Sequence, residues 1–412
     1  MRAQEDQAVR ELWLSFNDPD IIPDPYPTYR ALRADSPAWF LPILDGAWLF
    51  FGYDDVRDLL QDSRLSSDRT GMPLRALPPS QRHQFGEMAK VLGRWVGMKD
   101  QPVHLPMRRH LDQVMGIERS RLRARIKPVV DDLVGKIPAG QGVDVAKEIC
   151  YPLPALVITD LLGLPVADHE QLSAWSDDLA YVFGSSRLTL TDVQRAQQST
   201  LALNSYIKSV ARHADLPEQA LLHRLLHAGR NGVRLTEDEA CAQCVQLLFA
   251  GLEPTRYAIG NAIHALARHP EQVALLRREP SLLSGAVEEF LRFDSPVQWI
   301  GRIARETFSF RGHVIERGQL VLPYVAAANR DPAHFSRPES LDVGRSSRQH
   351  LSFGAGHHRC LGMSLVREQM QLTLQVLLQR FSRFEQDQSS PVRWNTNLGF
   401  HGHQSLTVRF ER

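Results

Sequence analysis

Between residues 235 and 270 the chain carries one helical pattern that decides how the rest can be arranged. Thr236, Glu237, Asp238 and Glu239 fit a capping box, in which a threonine hydroxyl and a glutamate three positions on satisfy each other's backbone N–H groups. Apolar residues continue through Val245, Leu248, Phe249, Ile259, Ile263 and Leu266, and Pro270 ends the run. Such a stretch makes a rod about 50 Å long. A helix that long and that apolar must cross the middle of the molecule. Strand signals are short by comparison. Residues 39–51 hold two apolar runs around Asp45-Gly46, a hairpin pattern. Residues 308–322 read as a second hairpin turning near Arg317-Gly318, and residues 392–410 are a third β-like region. The predicted class is mainly α with small β-sheets around a long central helix.

Charge and cysteine usage exclude several roles. Lysine and arginine number 48 against 47 aspartates and glutamates, which provides no field for nucleic acid or an anionic membrane. Residues 1–16 lack the apolar stretch of a signal peptide, and no run of about 18 apolar residues predicts a membrane span. Cys150, Cys241, Cys244 and Cys360 are too few and too scattered for a disulfide framework, which points to a reducing cytoplasm. No linker or repeat divides the chain, so residues 1–412 read as a single domain.

One cysteine stands apart. Residues 350–362 read HLSFGAGHHRCLG, and a helical pattern follows directly. Glycines allow positive φ and close approach of backbone to a flat ligand. A cysteine where a loop runs into a helix has its thiolate favoured by the helix N-terminus and by N–H groups aimed at the sulfur. A lone cysteine beside a glycine turn is ordinarily a core residue. Here Phe353, Gly354, Gly356, His358, Cys360 and Gly362 are fixed together, and coincidence explains that poorly.

This loop resembles the haem signature of the cytochrome P450 family at all six positions, and the resemblance covers nearly the whole chain. It implies the family's fold, with the long helix lying over haem b (iron protoporphyrin IX). Cys360 would be the metal ligand, Phe353 would shield the sulfur, and His358 would reach a propionate. A thiolate ligand pushes electron density onto iron and favours O–O cleavage. His104 and Arg108 resemble the family's propionate-binding pair, and Arg302 matches a third propionate contact. Pro106 between the first two suits a helix's first turn, with the helix starting near Leu105. Glu289 and Arg292 share a helix face and look like the family's Glu-x-x-Arg motif. Arg345 matches the arginine that completes this buried structural triad.

Two other patterns receive plain readings. Cys241 and Cys244 have metal-like spacing but no second ligand pair, so they are core residues of the long helix. His401 and His403 stand where the family's C-terminal hairpin enters the substrate pocket, which implies a pocket-lining or solvated role.

The long helix departs from the family at one position. Relatives carry Ala/Gly-Gly-x-Asp/Glu-Thr beside the iron; here Ala250, Gly251 and Glu253 match, but Pro254 replaces the threonine and Thr255 follows. Proline removes the N–H that would bond the Ala250 carbonyl, and it has no hydroxyl to donate a proton. Thr255 lies about 100° further round the helix. Glu253, Pro254 and Thr255 are therefore the candidate catalytic positions. The resemblance implies an oxidoreductase, a monooxygenase that inserts oxygen from O2 into a small organic molecule of specialised metabolism, free or tethered to a carrier protein. Electrons would come from a ferredoxin-type donor and its reductase, with Arg108, Arg109, Arg348, His357 and Arg359 as a docking patch. The missing threonine keeps open a second chemistry: peroxide-driven oxidation, radical coupling or ring formation. A haem-binding protein without turnover is a third class. Trp95, Ala250, Val297, Trp299 and Phe400 mark a substrate pocket suited to an apolar or aromatic molecule.

Overall fold

The structure, a computed structural model, describes residues 18–42, 44–118, 121–185, 188–213, 215–227, 234–346 and 349–412. Residues 1–16 and Arg348 lie outside them. The site is carried by helices α1 (His104–Glu118), α2 (Pro152–Leu162), α3 (His169–Gly184), α4 (Leu190–His213), α5 (Glu237–Arg268), α6 (Leu283–Phe293) and α7 (Met363–Arg380).

Helix α5 is the long helix expected from the sequence. Its capping box is formed: Thr236 Oγ1 accepts the Glu239 N–H at 3.2 Å, and Glu239 Oε2 accepts the Thr236 N–H at 2.9 Å. His269 closes it and Pro270 opens the next helix. The chain stays helical through Pro254. Leu248, Leu252, Ile259 and Ile263 are fully buried, each stabilising the fold by roughly 1.5–3 kcal/mol relative to exposure. α5 packs against α2, α3, α4, α6 and α7, so it threads the helical core. Cys241 and Cys244 sit within it, buried, their thiols pushed up by desolvation, as core residues would be.

The largest sheet has the order β1-β2-β8-β5-β3, from β1 (Ala38–Leu41), β2 (Ala47–Phe50), β3 (Leu65–Ser66), β5 (Arg302–Ala304) and β8 (Leu320–Pro323). Strand β4 (Gly142–Asp144) belongs to another sheet. β1 and β2 are the predicted first hairpin, turning through Asp45 and Gly46. The second hairpin differs from expectation. β6 (Phe308–Phe310) and β7 (His313–Ile315) turn at Arg311-Gly312, not near Arg317-Gly318. β8 leaves this pair to run parallel to β2 and antiparallel to β5. The reason is burial: every residue of Leu320–Pro323 is buried, so the strand belongs inside a sheet rather than at a hairpin edge. Near the C-terminus, β9 (Arg383–Gln386), β10 (Arg393–Trp394), β11 (His403–Ser405) and β12 (Thr407–Glu411) form the third β region, with β12 between β4 and β9. No helix among the described residues is long and apolar enough to cross a membrane.

Candidate haem site

One face of α5 looks into a cavity of about 1120 Å³, its open mouth included. Leu247, Ala250, Gly251 and Thr255 line it, a set of three- and four-residue steps that shares one helix face. Ala250 is exposed although it stands in the middle of a buried helix, because the cavity lies against it. Across the cavity runs the cysteine loop. Gly354 and Gly356 take φ of 67° and 70°, and a Cβ on Gly356 would stand 2.9 Å from Gln61 Cγ, so both the conformation and the space require glycine. The loop is tied by the Cys360 N–H, which donates to the Phe353 carbonyl at 2.8 Å. Burial pushes the Cys360 thiol up, while the Gly362 N–H and the charges of Arg108, Arg367 and Arg359 oppose that shift. Phe353 is buried beside the loop, with the Arg367 guanidinium 4.8 Å from its ring centroid.

The cavity rim is cationic. His104, Arg108, Arg302 and His358, all singled out in the sequence, line it together, and Arg69 joins them. No aspartate or glutamate lines it among the described residues. Arg302 is buried and among the described residues donates only to the Gly301 carbonyl, at 3.0 Å; burial and then the Arg69 charge lower its pKa to about 9. The His104 and His358 rings lie 4.0 Å apart. Burial and the surrounding arginines push His358 down to about 2. His104 Nδ1 is buried with no partner among the described residues. The helix begins at His104, one residue earlier than expected, with Pro106 in the first turn. Arg108 donates to Asp112 at 3.0 Å and to the Arg359 carbonyl at 2.7 Å. A rim of like charges with an orphaned nitrogen, above apolar walls such as Leu111, Met115 and Val366 and opposite a thiol, fits a flat apolar group bearing two carboxylates. Haem is such a group.

Behind the cavity two neighbouring glutamates hold two different parts of the chain. Glu289 accepts from Arg292 Nε at 2.7 Å and Arg345 Nε at 2.9 Å, and all three side chains are buried. Glu288, not singled out in the sequence, grips both sides of the cysteine loop, at His350 (3.2 Å) and Arg367 (2.7 Å). Burial alone would raise the Glu288 carboxyl, but these two partners hold it at about 2.

On α5, Glu253 faces away from the described cavity. Its Oε1 is 3.0 Å from Arg256 Nη1 without hydrogen-bond alignment, and the same nitrogen donates to Asp177 at 3.0 Å. Burial raises the Glu253 carboxyl to about 8, opposed by Arg256. Asp177 is half-exposed, whereas Glu253 is buried beside the same guanidinium. Pro254 is not among the residues lining the cavity. Thr255 is: it is fully buried, and its hydroxyl has no partner among the described residues.

The remaining pocket candidates scatter. Trp95 is packed with Phe249 and Phe183, at centroid distances of 5.4 and 6.4 Å, outside the cavity lining. Trp299 donates to the Leu398 carbonyl at 3.0 Å, and Val297 bridges Phe400. His401 is not solvated: Nδ1 lies 2.9 Å from Asp294 and Nε2 is 3.0 Å from the Ile22 carbonyl. His403 is equally buried, 3.2 Å from His264. These histidines pin the C-terminal hairpin because burial leaves them no water to bond. Of the expected docking patch, Arg109, His357 and Arg359 are exposed, whereas Arg108 faces the cavity.

Helix-over-cavity architecture, cysteine loop and cationic rim together define a haem-thiolate protein. The family profile for cytochrome P450 matches residues 166–405. Cytochrome P450 monooxygenase PikC of Streptomyces venezuelae is 33% identical over 405 residues, covering 95% of this chain and 92% of that protein. Polyketide biosynthesis cytochrome P450 PksS of Bacillus subtilis (strain 168) is 30% identical over 374 residues, 89% of each chain. The solved structure of P450BioI in complex with acyl carrier protein ligated to hexadec-9Z-enoic acid superposes with a TM-score of 0.85. It shares 30% identity and covers 95% of this chain and all of that one. The chain belongs to the cytochrome P450 family, and it is a haem-dependent oxidoreductase of the monooxygenase type.

Proposed function

We propose that Cys360 is the thiolate ligand of haem b, that Arg108, Arg302, His104 and His358 hold its propionates, and that the enzyme inserts oxygen from O2 into a small apolar or aromatic molecule of specialised metabolism. One observation carries this: a single cavity gathers Cys360, both arginines and both histidines under one face of α5. Haem bound there would supply the redox-active iron that activates O2 when given two electrons. The chain's own groups do the rest. Ala250 and Gly251 leave room above the thiolate, and the hydroxyl of Thr255 is free to donate toward the cavity. Glu253 holds a proton near neutral pH in the buried layer behind. Arg109, His357 and Arg359 offer an exposed basic edge beside the cysteine loop for an acidic ferredoxin-type donor. A carrier-tethered substrate is supported by the acyl carrier protein bound to the related P450BioI.

The second reading, coupling or peroxide chemistry, draws on Pro254. The position of Thr255 weighs against it, since a hydroxyl lines the cavity one residue later. The test of the first reading is spectroscopic. The reduced carbon monoxide complex should show the strongly red-shifted Soret band of thiolate ligation. Cys360→Ser should lose it, and the Cys241→Ala, Cys244→Ala double variant should keep it. An unchanged band in Cys360→Ser refutes the ligand.

A further inference from the structure

The loop over the cavity has the backbone of Gly97 gripped at both its N–H and its carbonyl. Gln246 Oε1, on α5, accepts the Gly97 N–H at 3.3 Å, and Arg69 Nη2 donates to the Gly97 carbonyl at 3.5 Å. The contact is close: a Cβ at position 97 would stand 2.5 Å from Gln246 Nε2. Just under one turn earlier on α5, Gln243 clamps the same loop. Its Oε1 accepts the Val96 N–H at 2.9 Å and its Nε2 donates to the Arg94 carbonyl at 2.6 Å. The two glutamines differ in what they leave over. Gln243 has both ends of its amide occupied by backbone. Gln246, which lines the cavity, uses only its oxygen, and its Nε2 has no acceptor among the described residues.

Arg69 is in a similar state. Its Nε donates to the Ser67 carbonyl at 3.2 Å and Nη2 to Gly97, leaving Nη1 without a partner and no carboxylate in ion-pair range among the described residues. Burial lowers its pKa only to about 10, so it stays cationic at neutral pH. The charge count also leaves it over. Haem carries two carboxylates, for which Arg108, Arg302 and two histidines are already proposed as partners; Arg69 is a third guanidinium. Its charge is felt by Arg302 and His358, but its hydrogen bond goes to Gly97, whose N–H is held by Gln246, a residue beside Leu247 and Ala250 on α5.

We propose that Arg69 and Gln246, bridged by the backbone of Gly97, form a subsite for the carboxylate of an organic acid substrate, whose apolar remainder lies along Leu247, Ala250 and Ile300. This rests on reading the cavity as the haem and substrate site. A guanidinium N–H and an amide N–H converging on a carboxylate make charge-assisted hydrogen bonds, stronger than the same donors give to an alcohol.

The haem-loaded enzyme can be titrated with octanoic, decanoic, dodecanoic and phenylbutanoic acids and with their matching primary alcohols, reading the substrate-induced shift of the haem band. At least one acid should bind about tenfold or more tightly than its alcohol. Arg69→Gln should abolish that preference while alcohol affinity stays within about twofold, and Gln246→Leu should reduce it in part. Haem-to-protein ratio and the rate of haem transfer to apomyoglobin should be unchanged in Arg69→Gln but altered in Arg302→Gln. The proposal fails if no acid is preferred, or if Arg69→Gln weakens acids and alcohols alike. It also fails if Arg69→Gln loses haem as Arg302→Gln does, which would assign Arg69 to a propionate. Absence of the thiolate carbon monoxide band in the wild type would instead refute the haem reading itself.

Discussion

Replacing Glu289 by alanine separates structural from catalytic roles at this site. Glu289 accepts four hydrogen bonds: two from Arg292 at 2.7 and 2.9 Å, one from Arg345 at 2.9 Å and one from the Asp342 N–H at 2.9 Å. The Glu289 and Arg292 side chains are each 1% exposed, so water cannot replace what is lost. The two guanidiniums keep some company. Arg292 still reaches the carbonyls of Asn329, Pro338 and Ser340, and Arg345 those of Ser336, Arg337 and Ser340. Carbonyl dipoles soften a buried positive charge but do not neutralise it, and two such charges would remain side by side. Removing one partner of a buried ion pair costs about 3–5 kcal/mol. That is a large fraction of the roughly 5–15 kcal/mol by which a folded chain is stable. Glu289→Ala should therefore accumulate as haem-poor or misfolded protein, and Glu289→Gln, which keeps the shape and the Asp342 contact, should lose less. The assay is haem-to-protein ratio after purification, with urea denaturation of whatever folds. A Glu289→Ala protein that is haem-loaded, within about 1 kcal/mol of wild type and inactive would refute the structural assignment.

Two further outcomes follow from α5 and its surroundings. Thr255→Ala should slow product formation about 10²-fold, with NADPH ending as hydrogen peroxide, whereas Pro254→Thr should leave product per NADPH within about twofold. A severalfold gain in Pro254→Thr, with no loss in Thr255→Ala, would overturn the reading of Thr255 as the donor. The second outcome concerns acid. Burial pushes His264 down to about 4 from an ordinary 6.5, so the unfolded chain takes up a proton that the folded chain refuses. Stability that is complete above pH 6.5 should be lost as the pH falls toward 4, about 3 kcal/mol from His264 alone. The gap between denaturation midpoints at pH 7 and pH 5 should narrow in His264→Gln without closing, because buried His358 and His403 are held down as well; an unchanged gap would place the acid sensitivity elsewhere.

What the sequence disclosed and what it withheld differ by how local the cause is. The capping box at Thr236 and the stop at Pro270 are written in adjacent residues, so α5 was legible from end to end. The cysteine loop is contiguous, and Glu289 with Arg292 is a three-residue spacing; both appear as expected. The same spacing joins Glu253 to Arg256, so that buried pair carried a signal which the resemblance, by casting Glu253 as part of the proton machinery, obscured. Glu288 could not be distinguished from its neighbour, because only the packing of α6 tells which glutamate meets the triad and which meets the cysteine loop. Arg69 was invisible for a stronger reason. It sits on an irregular turn with no periodicity, and its meaning comes from Gly97, Gln246 and Arg302, which the fold brings to it from three separate elements. The departure at Pro254 shows how far helix geometry alone can go. Counting four-residue steps from Leu247 reaches Gly251 and then Thr255, so the cavity-facing row could be drawn without coordinates. What counting could not supply is that the Thr255 hydroxyl is left without a partner, and that orphaned donor is what sets it apart from a packing residue.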